Sequence, residues 1–209
     1  KEKFAGALYT ISIESYLPNG RAAQGPDFHH DGQNFAKAYG IKFLNKNEKE
    51  DYVWQNTWAI STRMLGIMFA THSDNKGLIL PPKLAQNQLV IIPIVFKEDK
   101  EKIIKKAKSI YSKLKKFSPL FDDREEYSPG WKFNHYELAG IPLRIEIGPK
   151  DIAKKQVTVV RRDTSQKIQI KESKLANEIP KLLDSIQKNL FENSKQLTLK
   201  NIVNAKTLD

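Results

Sequence analysis

The chain of 209 residues contains no cysteine, which excludes disulfides and thiolate metal sites and leaves the redox compartment open. Long apolar runs are lacking too. The longest, Leu89 to Phe96, has the length of a buried strand rather than a membrane span. No hydrophobic segment of signal-peptide type follows Lys1-Glu2-Lys3-Phe4, so a cytosolic protein away from membranes is the expectation. No Walker A sequence, dinucleotide-binding fingerprint or nucleophile elbow occurs, and neither does an internal repeat or a low-complexity segment. Arginine is scarce. Of 35 basic residues only Arg21, Arg63, Arg124, Arg144, Arg161 and Arg162 are arginine.

What is present is charge of one sign. A formal net charge of +11 attracts polyanions, nucleic acid or an anionic surface first among them. A lysine-rich composition alone is an equally good reason for the total, so the few arginines carry more information than the many lysines. The length suits one large domain or two modest ones.

Alternation of polar and apolar residues predicts a strand within 4–17, and Asn19-Gly20 a turn. Helical spacing follows near 32–39 and over 60–71. Asn45 to Asp51 reads as a hairpin tip, and Tyr52 to Trp58 as its returning strand. Leu78 to Leu80 with Pro81-Pro82 closes this first unit. A buried strand, Gln88–Phe96, opens the second. Over 99–116, Ile103, Ala107, Ile110 and Leu114 mark a helix with one apolar face and a lysine face opposite. That lysine face fits a phosphate backbone, although such runs are more often simply solvated. Strands are predicted at Leu143–Ile147, Gln156–Arg161 and Lys167–Lys171. A last amphipathic helix runs through Ile179, Leu183, Ile186 and Leu190, with Pro180 near its first turn. The predicted boundaries are 1–87, 88–195 and a tail or linker over 196–209.

Three segments concentrate functional side chains. Gly20 to Phe35 places His29 and His30 beside Asp27 and Asp31. Adjacent residues on a strand face opposite ways, so the two histidines do not share an ion, and no metal or zinc is expected. A hydrogen-bonding role in a ligand pocket and a structural role both remain open for them. Gln55 to Gly66 runs from strand to helix with Ser61, Thr62 and Arg63 at the junction. That arrangement fits phosphate binding at a helix N-terminus, or ordinary capping. Ser128 to Asp151 joins a Pro-Gly turn, a short amphipathic helix, a Gly-Ile-Pro break, an alternating strand and a Gly-Pro-Lys-Asp turn. Its mixture of both charges with aromatics matches what reading unpaired bases requires. An internal ion pair is the competing account of Glu137 and Arg144.

These segments also resemble a known family. Phe4-Ala-Gly-Ala, Gly20-Arg-Ala-Ala-Gln, His29-His30 and Gly32-Gln-Asn-Phe are similar to the catalytic domain of prolyl-tRNA synthetases of the archaeal and eukaryotic type. Gln55 to Gly66 looks like that family's motif 3, with its Thr-Arg pair at Thr62-Arg63. Asp74-Asn-Lys-Gly-Leu-Ile-Leu-Pro-Pro82 is similar to the segment leading out of the catalytic domain. Asp122-Asp-Arg, Ser128-Pro-Gly-Trp-Lys-Phe and Val159-Val-Arg-Arg-Asp-Thr164 continue the match. The resemblance implies an α/β (α+β) fold, part of a class II synthetase antiparallel catalytic sheet followed by a mixed-sheet α/β anticodon-binding domain. It implies proline–tRNA ligase activity, with ATP as substrate, Mg2+ accompanying it, and the proline tRNA anticodon and a homodimer as partners.

Carried over by position, Arg63 would hold the ATP γ-phosphate. Gln24, Ser61 and Thr62 would line the nucleotide site. Phe4 and His29 would line the proline pocket, with Trp58 nearby. Such chemistry is mostly positioning and charge neutralisation, with no protein nucleophile. Phe133, Glu137, Arg144, Lys150, Asp151 and Lys167 match positions that contact the anticodon guanines. The departures are Leu8 for an Asp, Asp27-Phe28 for a small hydroxyl pair, Asp31 for a Leu and Ala59 for a Gly. Counterparts of motifs 1 and 2 are missing. The resemblance therefore implies a fragment of a longer ligase, or a divergent relative that binds tRNA without aminoacylating it.

Overall fold

The computed structural model describes residues 3–95 and 99–205. They form two compact units, divided between Thr71 and His72.

The first unit contains β1 (Tyr9–Tyr16), β2 (Ala22–Gly32), α1 (Asn34–Tyr39), β3 (Lys42–Leu44), β4 (Glu50–Tyr52), β5 (Gln55–Ala59) and α2 (Arg63–Thr71). β1, β2 and β5 make an antiparallel sheet with β2 in the middle, and β3 and β4 pair as a separate hairpin. The predicted strand Tyr52–Trp58 is thus two strands, the hairpin's return and a sheet strand. β2 has no counterpart in the sequence reading, because Gly25-Pro26 argues against a central strand. The pairing shows how proline is accommodated. Ser12 faces Asp27 and Glu14 faces Gln24, so Gly25 and Pro26 together oppose Ile13 in a bulge, where a ladder N–H is dispensable.

The second unit opens with a small hairpin, β6 (Ser73–Asp74) and β7 (Gly77–Leu78). β8 (Leu89–Pro93), α3 (Lys100–Lys113), β9 (Leu120–Phe121), α4 (Pro129–Leu138) and β10 (Leu143–Ile147) follow. α5 (Pro149–Ala153), β11 (Gln156–Arg161), β12 (Lys167–Lys171) and α6 (Leu175–Lys200) complete it. Its five-stranded sheet has the order β12-β11-β10-β8-β9. β8 runs parallel to β9 and β10, while β10, β11 and β12 are antiparallel, so the sheet is mixed. Leu143, Ile145 and Ile147 join Leu89, Ile91, Val157 and Val159 in one core with the apolar faces of α3 and α6. The apolar spacing of both helices accounts for this.

Three boundaries differ from the sequence reading. Residues 72–87, expected in the first unit, belong to the second. Asp74 accepts both terminal nitrogens of Arg162 at 2.7 and 2.8 Å, and Ile79 lies in the second core. α6 starts at Leu175, so Pro180 sits inside the helix rather than in its first turn. It also runs to Lys200, into the predicted tail; residues 206–209 of that tail and Phe96 of the predicted strand lie outside the described residues. No helix among the described residues is long and apolar enough to cross a membrane.

Candidate functional site

Each unit gathers one set of the polar side chains singled out above. In the first unit, His29 lies opposite Thr10 and Thr57, and Asp27 opposite Ser12 and Ala59. Alternate strand residues share a face, so Asp27 and His29 occupy one side of the sheet and Phe28 and His30 the other. His29 is buried, stacked on Phe4 with centroids 4.6 Å apart, and its Nδ1 lies 3.0 Å from Thr10 Oγ1. Gln24 Nε2 donates to both oxygens of Asp27 at 2.8 Å. Arg63 Nη1 donates to the Gln24 carbonyl at 3.4 Å. Gln24's hydrogen bond, with Ser12, His29 and Arg63 assisting, holds the Asp27 carboxyl below its ordinary pKa.

The Ser61 hydroxyl accepts from the Arg63 N–H at 3.3 Å, so it caps α2. Ser61, Thr62 and Arg63 line an open depression of about 510 Å3 with Leu17, Ala23, Gly66 and Ile67. Asp31 is buried. Its Oδ2 accepts from Thr57 Oγ1 at 2.8 Å, and its Oδ1 has no partner. Trp58 is the residue the structure does not bring to this group. It pairs with Phe28 on the opposite face, ring centroids 4.7 Å apart, and is 81% exposed. Among the described residues no three His, Asp or Glu are grouped to hold a metal ion.

In the second unit, Arg144, Val160 and Lys167 lie in one register row across β10, β11 and β12. Glu146, Thr158 and Gln169 form the next row on the same face. The Arg144 guanidinium is held from three sides. Nη1 donates to Glu137 Oε1 at 3.0 Å and Nε to Glu146 Oε1 at 2.9 Å, and the Phe133 ring lies 4.3 Å below. The internal ion pair is therefore real, and it is also what fixes Phe133 and Glu137 of α4 over the sheet. Burial pushes the Glu137 carboxyl up, but Arg144, Lys76 and Arg162 overcome it and the net shift is downward. Ser128 caps α4 by accepting from the Trp131 N–H at 3.2 Å, and Pro129 occupies its first turn.

Lys150 and Lys167 are exposed. The sequence reading left Gly148 to Asp151 as a turn; the structure makes it the start of α5. Asp151 uses both oxygens there, accepting from the Gly148 N–H at 3.0 Å and from Thr158 Oγ1 at 3.1 Å. Glu146 and Lys76 (the latter 3.6 Å from Glu137 Oε2) were missed by sequence reasoning. Strand alternation places Glu146 beside Arg144; nothing local marks Lys76.

Sequence reasoning also missed a hub beside this face. Asp122 is buried and accepts from Arg124 Nε and Nη2 at 2.9 and 2.8 Å and from the Tyr136 hydroxyl at 3.1 Å. Lys132 Nζ donates to its carbonyl at 3.1 Å. Burial raises the Asp122 pKa, but these donors outweigh it and bring it to about 2. Arg162 likewise lowers Asp74 to about 2. Both folded pKa values lie below the unfolded one, so the stabilisation is present above the unfolded pKa and lost as pH falls through the folded value. The stability of the second unit, read by equilibrium unfolding, should fall between about pH 4 and pH 2, with Asp122 contributing about 2 kcal/mol. Asp122→Asn should flatten that acid limb; an unchanged limb would refute the assignment.

Residues 88–182, which carry this face, match the family model described as anticodon binding domain. The whole chain is 45% identical to the proline–tRNA ligase of Natranaerobius thermophilus, of which it covers 44%. The chain is similar along its whole length to prolyl-tRNA synthetases. Over 93% of its length it is 47% identical to proline–tRNA ligase 2 of Bacillus thuringiensis strain Al Hakam, covering 40% of that protein. Among solved structures, the prolyl-tRNA synthetase of Cryptosporidium parvum complexed with L-proline and AMP superimposes with a TM-score of 0.91. It is 44% identical, over 100% of this chain and 45% of that one. The chain thus spans somewhat under half the length of these prolyl-tRNA synthetase relatives.

Proposed function

We propose that this chain is the motif 3 and anticodon-reading portion of a proline–tRNA ligase. The observation that carries the reading is the assembly of Phe133, Glu137, Arg144 and Lys167 on one sheet face within the matched anticodon-binding region. Glu137, held in its charged form, accepts from the N1 and N2 protons of guanine, while Lys150 and Lys167 address O6, N7 or phosphate. Phe133 offers a ring for stacking. Arg144 sets the positions of Phe133 and Glu137, and Asp151 fixes the start of α5, which carries Lys150.

The first unit contributes the other half of the activity. Arg63, Gln24, Ser61 and Thr62 serve the nucleotide, and Phe4 and His29 the proline side. ATP is the substrate, activated by attack of the proline carboxylate on its α-phosphate. Mg2+ accompanies the nucleotide as its counter-ion, and no protein group here is assigned to hold it. The parent enzyme works in the cytoplasm as a homodimer of the archaeal and eukaryotic type, as the sequence resemblance implies.

One observation favours a second reading, tRNA recognition without adenylate formation. The Asp27 carboxylate shares a sheet face with His29 and engages Gln24, so it places a negative charge where two anionic substrates would meet. Titration of the full-length parent with a non-hydrolysable prolyl-adenylate mimic separates the two, since binding supports the ligase and its absence the second reading. RNA recognition itself is tested by equilibrium binding of the proline anticodon stem-loop. Replacing one guanine by adenine should weaken binding by about 1–3 kcal/mol. Equal affinity for both loops would remove the base-reading proposal.

A further inference from the structure

The hairpin β6–β7 is fastened to the second unit more firmly than a connector requires. Asp74 Oδ1 accepts from the Lys76 N–H at 2.8 Å, and the same carboxylate takes both arms of Arg162, whose side chain is 2% exposed. Gly77, at φ +126°, approaches so closely that a Cβ there would stand 2.6 Å from the Leu138 main chain. Gly140, at φ +77°, makes the reciprocal approach to Leu78. The Leu80 N–H donates to the Gly140 carbonyl at 3.1 Å. These contacts bind the hairpin to the end of α4, the helix that carries Phe133 and Glu137.

The tip of the hairpin is Asn75-Lys76, and the fastening decides where Lys76 stands. Its ammonium lies 3.6 Å from Glu137 Oε2 and 3.3 Å from Ser165 Oγ, with its side chain 52% exposed. Ser165 belongs to the turn that leads into Lys167 on β12. Both contacts are long, and half of the Lys76 side chain stays open to solvent, free to meet a further anion. A rigid support thus presents a cation, only loosely engaged, at the edge of a face that also carries the exposed Lys167 and Lys171.

We infer that Lys76 is an additional RNA-contact residue, binding a backbone phosphate of the loop whose bases Glu137 and its neighbours read. The inference rests on the anticodon reading above, but its effect is blind to base sequence, which keeps the two separable. One phosphate contact to a single-stranded loop contributes about 0.7 to the slope of log affinity against log salt, or about fivefold in affinity at 0.1 M salt.

The test is binding of the guanine stem-loop and of its adenine-substituted form to the full chain and to Lys76→Gln, across a salt series. Lys76→Gln should weaken both loops alike, by about fivefold at 0.1 M salt, and make the slope shallower by about 0.7. Lys76→Arg should restore both quantities. Unchanged affinity and slope would overturn the inference. So would a loss confined to the guanine loop with the slope intact, because Lys76 would then act only through Glu137. A wild-type chain that binds both loops equally would instead remove the anticodon reading.

Discussion

Arg144→Ala is expected to destabilise the second unit by about 3–5 kcal/mol, the usual cost of removing one partner from a buried ion pair. Its side chain is 8% exposed and holds two carboxylates and one ring in place. The loss leaves Glu146 in the protein interior without its guanidinium and lets Phe133 and Glu137 move. Arg144→Lys should recover little, because an ammonium cannot serve two carboxylates and a ring face in one fixed geometry. The double variant Arg144→Met, Glu146→Leu should recover much of the stability by removing the stranded charge with its partner. Denaturant unfolding of the three variants checks this. A loss of under 1 kcal/mol for Arg144→Ala, the value typical of an exposed ion pair, would mean that the guanidinium is not holding the face together.

Gly77→Ala is the second large effect, at about 2–4 kcal/mol. Two costs combine, a backbone conformation that L residues rarely adopt and a methyl group driven into the Leu138 main chain. The hairpin must lift, taking Lys76 with it, so thermal unfolding and the salt dependence of RNA binding should change together. Gly66→Ala supplies the contrast. It lies inside α2 with nothing within 4 Å of a new Cβ, so it should stabilise the first unit by about 0.5–1 kcal/mol. Equal and small effects at both glycines would contradict the close approach at Gly77.

The parts of the fold that were legible in the sequence are those fixed by local periodicity. The apolar stripes of α3 and α6 and the alternation of Leu143, Arg144, Ile145, Glu146 and Ile147 each name a face without reference to any distant residue. What escaped depends on the partner. β2 was hidden because Pro26 and the run of polar residues around His29 obscure a strand whose bulge is visible only against Ile13. Trp58 was placed near the proline pocket by position in a motif, whereas strand alternation sends it to the other face. The unit boundary at 71/72 follows from Asp74 meeting Arg162 and from Gly77 packing on Leu138 and Gly140 on Leu78, contacts spanning dozens of residues. Lys76 was quoted within a connecting segment, and only the hairpin's fastening to α4 gives it a place beside Glu137.

The central claim is that one face of the second unit, and not its lysine-covered helix, meets the RNA. A titration of the isotopically labelled chain with the proline anticodon stem-loop, followed by amide chemical shifts, tests it most directly. Shifts should concentrate at Phe133, Glu137, Arg144, Lys150 and Lys167, with Lys76 alongside. Shifts confined to Lys102, Lys105 and Lys108 on α3 would contradict it.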